Sequence, residues 1–269
     1  MNCPAILINH LKKHGRNFIV EKRGNTTQVL FNKCKLKMIT RSLEKPKTGF
    51  QITALFKKDF LKRFKLGDYC LSDKIQNPQP YYYDFCNKNI RFTHDEIYAI
   101  DIKNCYWETA YRLGMMSDKI YEYGLSLRYE SEYEQEEIKT MRNACIGGLF
   151  TPTLIEHYRD GKMIDSKNID SKYAKAYFQV INTVYELSQK AIRGLNGNFL
   201  YFLTDCFFVK NGSVNSIVKC IQRAGYEYNV KSISLQKVEF NKAYKKIIWR
   251  EGNGNEDKYY SFSKIQQVT

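Results

Sequence analysis

Residues Phe199 to Lys210 read FLYFLTDCFFVK, two short apolar runs separated by Thr204-Asp205. Runs this short and this aromatic predict strands, and the polar dipeptide between them predicts a tight turn with an acid at its tip. A second stretch, Glu96 to Asp101 (EIYAID), predicts another strand that ends on an acid. A carboxylate at the end of an apolar strand is costly to bury unless something pairs it, and a bound divalent cation is one such partner. Singly, each acid reads as an ordinary cap or turn residue, so the argument rests on the pair and on what lies between.

Working outward, a helical pattern runs from Tyr106 to Leu113 and stops at Gly114. The chain turns acidic around Tyr121 to Ile138, and a short helix is predicted from Lys139 to Gly147. Ser171 to Ile192 places Ala174, Tyr177, Phe178, Ile181, Val184, Tyr185 and Leu187 on one helical face, with Gly194 to end it. A helix from Val214 to Ala224 and strands around Ser232 to Phe240 and Tyr244 to Trp249 follow. Upstream, strand-like runs occur at Asn17 to Val20 and Gln28 to Phe31, an amphipathic stretch at Ala54 to Phe64, and a break at Gln76 to Pro80 (QNPQP). This order predicts an α+β fold, an antiparallel sheet with helices on one face.

The net charge of +15 is concentrated. Leu11 to Lys65 holds sixteen Lys/Arg against Glu21, Glu44 and Asp59, a local excess of +13. Such a block suits a polyanion, because neutralising phosphates releases their condensed counterions. Phe18, Phe31, Phe50, Phe56, Phe60 and Phe64 interleave with the charge, which predicts a folded segment and not a disordered tail. Eight scattered cysteines without a Cys-x-x-Cys pair argue against zinc and against a disulfide framework. They read as reduced thiols in a cytosol. The start, MNCPAILINHLKKHG, does not read as a signal peptide, and no apolar run is long enough to span a bilayer.

Three motifs in order resemble those of family B DNA polymerases. Asp101-Ile-Lys-Asn104-Cys105-Tyr106-Trp107 matches the family's motif A, Asp-x-x-Ser-Leu-Tyr-Pro, in its acid and tyrosine. Lys139-Thr-Met-Arg-Asn143-Ala144-Cys145-Ile146-Gly147 matches motif B, Lys-x-x-x-Asn-Ser-x-Tyr-Gly, in lysine, asparagine and glycine. Tyr201-Phe-Leu203-Thr204-Asp205-Cys206 matches motif C, Tyr-x-Asp-Thr-Asp-Ser, with Leu203 in place of the first acid. Tyr244-Lys245-Lys246 is a looser counterpart of the family's primer-holding Lys-x-Tyr element. The resemblance covers Glu96 to Trp249.

The resemblance implies a polymerase palm with short fingers, a basic N-terminal region and little or no thumb. The corresponding segments are a nucleic-acid-binding region at 1–80, palm with motif A at 81–115, fingers with motif B at 116–149, and palm with motif C and a vestigial thumb at 150–269. It implies two Mg²⁺ ions, replaceable by Mn²⁺, held by Asp101, Asp205 and the Ile102 carbonyl. Lys139 meets the incoming triphosphate, Asn143 and Asn104 line the nucleotide site, and Tyr106 lies under the sugar, where its ring excludes a 2′-hydroxyl. Thr204, Gly147, Lys245 and Lys246 face primer or template. Lys119 and Arg128 are further triphosphate candidates. Trp107 and Ile146, replacing the family's proline and tyrosine, imply a repacked nucleotide pocket.

The expected partners are a DNA primer-template, dNTPs and other replication proteins, in a cytoplasm and without a membrane. The N-terminal block has no Asp-x-Glu pair on a strand, so proofreading is not expected, and the basic block is the candidate replacement for a thumb. Two other readings use the same residues. One is a primase-like polymerase, against which Tyr106 speaks. The other is a catalytically inactive palm-fold protein that binds DNA, which Leu203 favours and the joint presence of Asp101, Lys139 and Asp205 opposes.

Overall fold

Alternation decides which face of each strand is buried. The computed structural model describes residues 3–23, 26–31, 34–39, 47–64, 81–82, 90–91, 97–130, 135–195, 199–240, 245–251, 258–262 and 266–267. In chain order the elements are α1 (Cys3–Lys13), β1 (Phe18–Arg23), β2 (Thr26–Phe31), β3 (Cys34–Ile39), α2 (Lys47–Phe64), β4 (Tyr81–Tyr82), β5 (Ile90–Arg91), β6 (Ile97–Ile102), α3 (Cys105–Arg112), α4 (Asp118–Glu130) and α5 (Gln135–Phe150). They continue with β7 (Thr153–Arg159), β8 (Lys162–Ile169), α6 (Ala174–Ile192), β9 (Phe199–Leu203), β10 (Cys206–Lys210), α7 (Val214–Arg223), β11 (Tyr228–Phe240), β12 (Lys245–Glu251), β13 (Lys258–Phe262) and β14 (Gln266–Gln267). The fold is α+β, with antiparallel sheets and helices as the sequence predicts. No described helix is long and apolar enough to cross a membrane.

The chain forms two compact units, each built from two separated segments: residues 1–73 with 110–179, and residues 74–109 with 180–269. These units do not follow the four consecutive segments drawn from the sequence. Within the first unit β1 pairs with β7 as well as with β2. The break at Gln76 to Pro80 lies outside the described residues.

In the second unit the sheet order is β13-β12-β11-β6-β10-β9-β4-β14, with β5 also on β11. Two β-α-β crossovers interleave: the connection through α6 carries β6 over β10 to β9, and α7 carries β10 over β6 to β11. Ile100, Ile102, Phe202 and Phe207 point to one face and pack with Val184, Leu187, Ala191 and Ile192 of α6 and Ile217 and Ile221 of α7. Each of these Ile, Leu, Val and Phe side chains, when fully buried, contributes about 1.5–3 kcal/mol. Asp101 and Cys206 pair across β6 and β10 and belong to the opposite face.

In the first unit, β3-β2-β1-β7-β8 is an antiparallel sheet. Leu11 of α1 packs with Phe18, Val20, Val29 and Tyr158 of that sheet, and the Phe18 and Tyr158 rings stack at 4.4 Å. The β7–β8 turn uses Asp160 and Gly161, both with positive φ (50° and 75°), the backbone that Asp-Gly favours in two-residue hairpins. Gly161 is obligatory for a second reason: a Cβ there would overlap the Lys12 carbonyl oxygen. Helices α2, α4 and α5 pack together, burying Ile52, Phe56 and Phe60 of α2 and Ile138, Cys145 and Ile146 of α5. The Asp59 carboxylate accepts from the Ser117 N–H at 2.6 Å, just ahead of α4.

Candidate active site

Asp101 stands at the penultimate residue of the central strand β6. Its neighbours on the same face are Cys206 of β10 and Asn229 of β11. Asp205 occupies the β9–β10 turn, where Leu203 and Cys206 pair and Thr204-Asp205 forms the loop. The two acids are joined through the backbone, because the Ile102 N–H donates to the Asp205 carbonyl at 3.0 Å. Asp205 is 5% exposed, whereas Asp101 is half-buried.

The turn is strained. Thr204 has φ 54°, a conformation that a β-branched residue rarely takes. The Asp205 N–H donates to the Leu203 carbonyl at 2.6 Å, an i to i+2 bond that closes a γ-turn around Thr204. That N–H therefore turns back within the hairpin and does not cross to Ile102. The Ile102 carbonyl, which ladder alternation directs to the β10 side, is left facing the same turn as Asp205.

Side chains hold this geometry. The Thr204 hydroxyl lies 2.8 Å from the Leu203 carbonyl and 2.9 Å from Asp205 Oδ1, and its single proton serves either. Tyr106, on the first turn of α3, donates its hydroxyl to the Thr204 carbonyl at 2.9 Å. Asn104 has φ 51° and its carbonyl accepts the Glu108 N–H at 2.8 Å, so it starts α3 and bends the chain away from β6. Lys103 fixes the other side of the bend, donating its N–H to the Glu227 carbonyl at 2.9 Å.

Asp101, Ile102, Asn104, Tyr106, Thr204 and Asp205 are thus gathered around one turn. Lys245 and Lys246 are not. They pair with Phe240 and Glu239 of β11, whereas Asp101 pairs with Asn229 of the same strand. Ten residues of strand separate the two levels, about 30 Å at 3.3 Å per residue. Their side chains, and Tyr244 altogether, lie outside the described residues.

Lys139, Asn143 and Gly147 lie in the first unit, on α5 at successive intervals of four, so they share a helical ridge. Lys139 is half-buried, and Asn143 and Gly147 are exposed. A Cβ at Gly147 would meet nothing within 4 Å. Trp107 and Ile146 are core residues, 1% and 2% exposed; Lys119 is exposed on α4, and the Arg128 side chain is not among those described.

The donor set suits a hard cation. Two carboxylates and a backbone carbonyl are all oxygen ligands, as Mg²⁺ and Mn²⁺ require. Among the described residues no three His, Cys, Asp or Glu side chains come together. Sequence reasoning missed the Tyr106–Thr204 bond and the place of Asn229 beside Asp101, because neither has a local signal. No protein-family model matches the chain, and no curated protein matches its sequence.

Proposed function

We propose that this protein is a template-directed DNA polymerase core that adds dNTPs to a primer 3′ end. The observation that carries the reading is the backbone bond between Ile102 and Asp205. It supports the reading by bringing the backbone next to Asp101 against that of Asp205, on a sheet whose other face is covered by helices. Asp101, Asp205 and the Ile102 carbonyl hold the metal ions, which when bound supply Lewis acidity to the primer hydroxyl and the leaving pyrophosphate. Tyr106, anchored at its hydroxyl to the Thr204 carbonyl beside Asp205, is the residue that limits the space for a 2′-hydroxyl. Lys139 and Asn143, on one ridge of α5 in the first unit, are the residues that motif register assigns to the triphosphate. Lys13, Arg16, Lys57 and Lys58, all exposed in the first unit, bind template or duplex phosphates.

The test is extension of a labelled primer on a template with Mg²⁺ or Mn²⁺, using dNTPs or rNTPs, for wild type and Asp205→Ala. Template-directed dNTP addition that vanishes in the variant supports the reading. DNA binding with no addition under any condition replaces it with a non-catalytic DNA-binding protein, and equal use of rNTPs without a primer replaces it with a primase-like enzyme.

A further inference from the structure

β8 is the edge strand of the first unit's sheet, and all eight of its residues are exposed. Three of the seven exposed large apolar side chains among the described residues lie on it: Met163 (56%), Ile164 (58%) and Ile169 (44%). Its hairpin is held in place, since the Asp160-Gly161 turn is pinned to the segment after α1 by the Gly161 N–H to Arg16 carbonyl bond at 3.2 Å. A fixed, fully exposed edge strand with apolar side chains is a template for another strand.

The sequence Lys162-Met-Ile-Asp-Ser-Lys-Asn-Ile-Asp170 specifies which strand. Laid antiparallel against a second copy with the two-fold axis through Ser166, it is complementary to itself. Asp165 falls opposite Lys167, and the pair occurs twice; Lys162 and Met163 lie beyond the irregularity in the β7–β8 ladder, where Asp165 pairs with His157 and Met163 with Tyr158 so that Ile164 is the extra residue. Moving the axis by one residue, to Asp165 or to Lys167, sets two like charges against each other at the axis, so the charge matches vanish. Opposite charges and apolar pairs directly across a ladder are the stabilising cross-strand combinations. We propose that β8 pairs with β8 of a second copy of this chain, joining two five-stranded sheets into one. The interface is small, so the dimer forms at the weak end of specific association.

Sedimentation velocity of the full chain, from about 1 µM to about 500 µM protein at roughly 0.3 M salt, where repulsion between two +15 chains is screened, reads the equilibrium. Wild type is expected to dimerise within that range. Lys167→Asp sets two acids against Asp165 of the other copy, and Asp165→Lys sets two lysines against Lys167; each alone weakens dimerisation by at least about tenfold. Mixed in equal amounts, the two variants restore both charge pairs and form a heterodimer with wild-type affinity, which also shows that each is folded. Ser166→Cys, at the axis, is expected to give a disulfide between copies through that position on mild oxidation. A monomeric wild type, single variants that associate as wild type does, or a mixture that fails to recover each overturns the proposal.

Discussion

Tyr106→Phe separates the two tasks assigned to that side chain. Its hydroxyl ties the start of α3 to the Thr204 carbonyl at 2.9 Å, and its ring packs against the helix-covered core of the same unit. An exposed bond between neutral groups contributes about 0.5–1 kcal/mol. Removing it therefore slows a reaction that depends on the turn by about two- to fivefold, since about 1.4 kcal/mol corresponds to tenfold. The ring remains, so preference for dGTP over GTP should be unchanged in Phe and should collapse in Tyr106→Ala. The assay is single-nucleotide primer extension opposite template C, with kcat/KM measured for each nucleotide. A Phe variant as unselective as Ala would assign discrimination to the hydroxyl. A hundredfold loss of rate with dGTP in Phe would exceed anything one such bond supplies, and an Ala variant with intact selectivity would remove Tyr106 from the sugar site.

The other expectations concern binding and stability. Replacing Lys13, Arg16, Lys57 and Lys58 by Gln should weaken primer-template binding and lower the slope of log affinity against log salt by about 0.9 for each phosphate no longer neutralised; an unchanged slope would place the DNA elsewhere. Gly161→Ala combines a left-handed backbone penalty with a Cβ that overlaps the Lys12 carbonyl, for at least about 2 kcal/mol and a Tm lower by roughly 4–8 °C. Gly194→Ala, at φ 80° in open space, should lose only about half as much, and equal losses would discount the clash. Burial holds the Cys145 thiol up at about 11 from 9.0. Because the folded pKa is the higher, this contribution is complete below about pH 9 and is lost as pH rises towards 11. Cys145→Ala should flatten that alkaline limb in urea titrations, and an identical limb in the variant would assign it to other groups.

The hairpin that carries Asp205 and the strand that ends near Asp101 were legible because aromatic density, alternation and a polar dipeptide are local signals. Helix α6 was legible from its apolar face and Gly194. β7 and β8 were not: KMIDSKNI is exposed on both faces, so no burial pattern is written into it. α5 starts at Gln135, four residues before the Lys139 expected, because Ile138 is buried while the acids around it remain polar. The pairing of β1 with β7 joins residues more than a hundred positions apart, and nothing within either strand records its partner. Within the site the acids and Tyr106 were found from motif register, whereas the distance of Lys245 and Lys246 from Asp101 follows from sheet register, which sequence does not display.

The position of β6 has a consequence for synthesis. It is the central strand of its sheet, flanked by β10 and β11, yet it is translated before both of them, and β11 begins only at Tyr228. At roughly 5–20 residues per second, the ribosome needs on the order of ten seconds between emergence of the strand and of its second neighbour. Throughout that interval Ile97, Ile100 and Ile102, all of which end with at most 1% exposure, have no finished sheet to enter. The nascent chain therefore carries an unpaired apolar strand beside the acid on which the proposed chemistry depends, and its yield in cells should respond to chaperone supply more than its final stability would suggest.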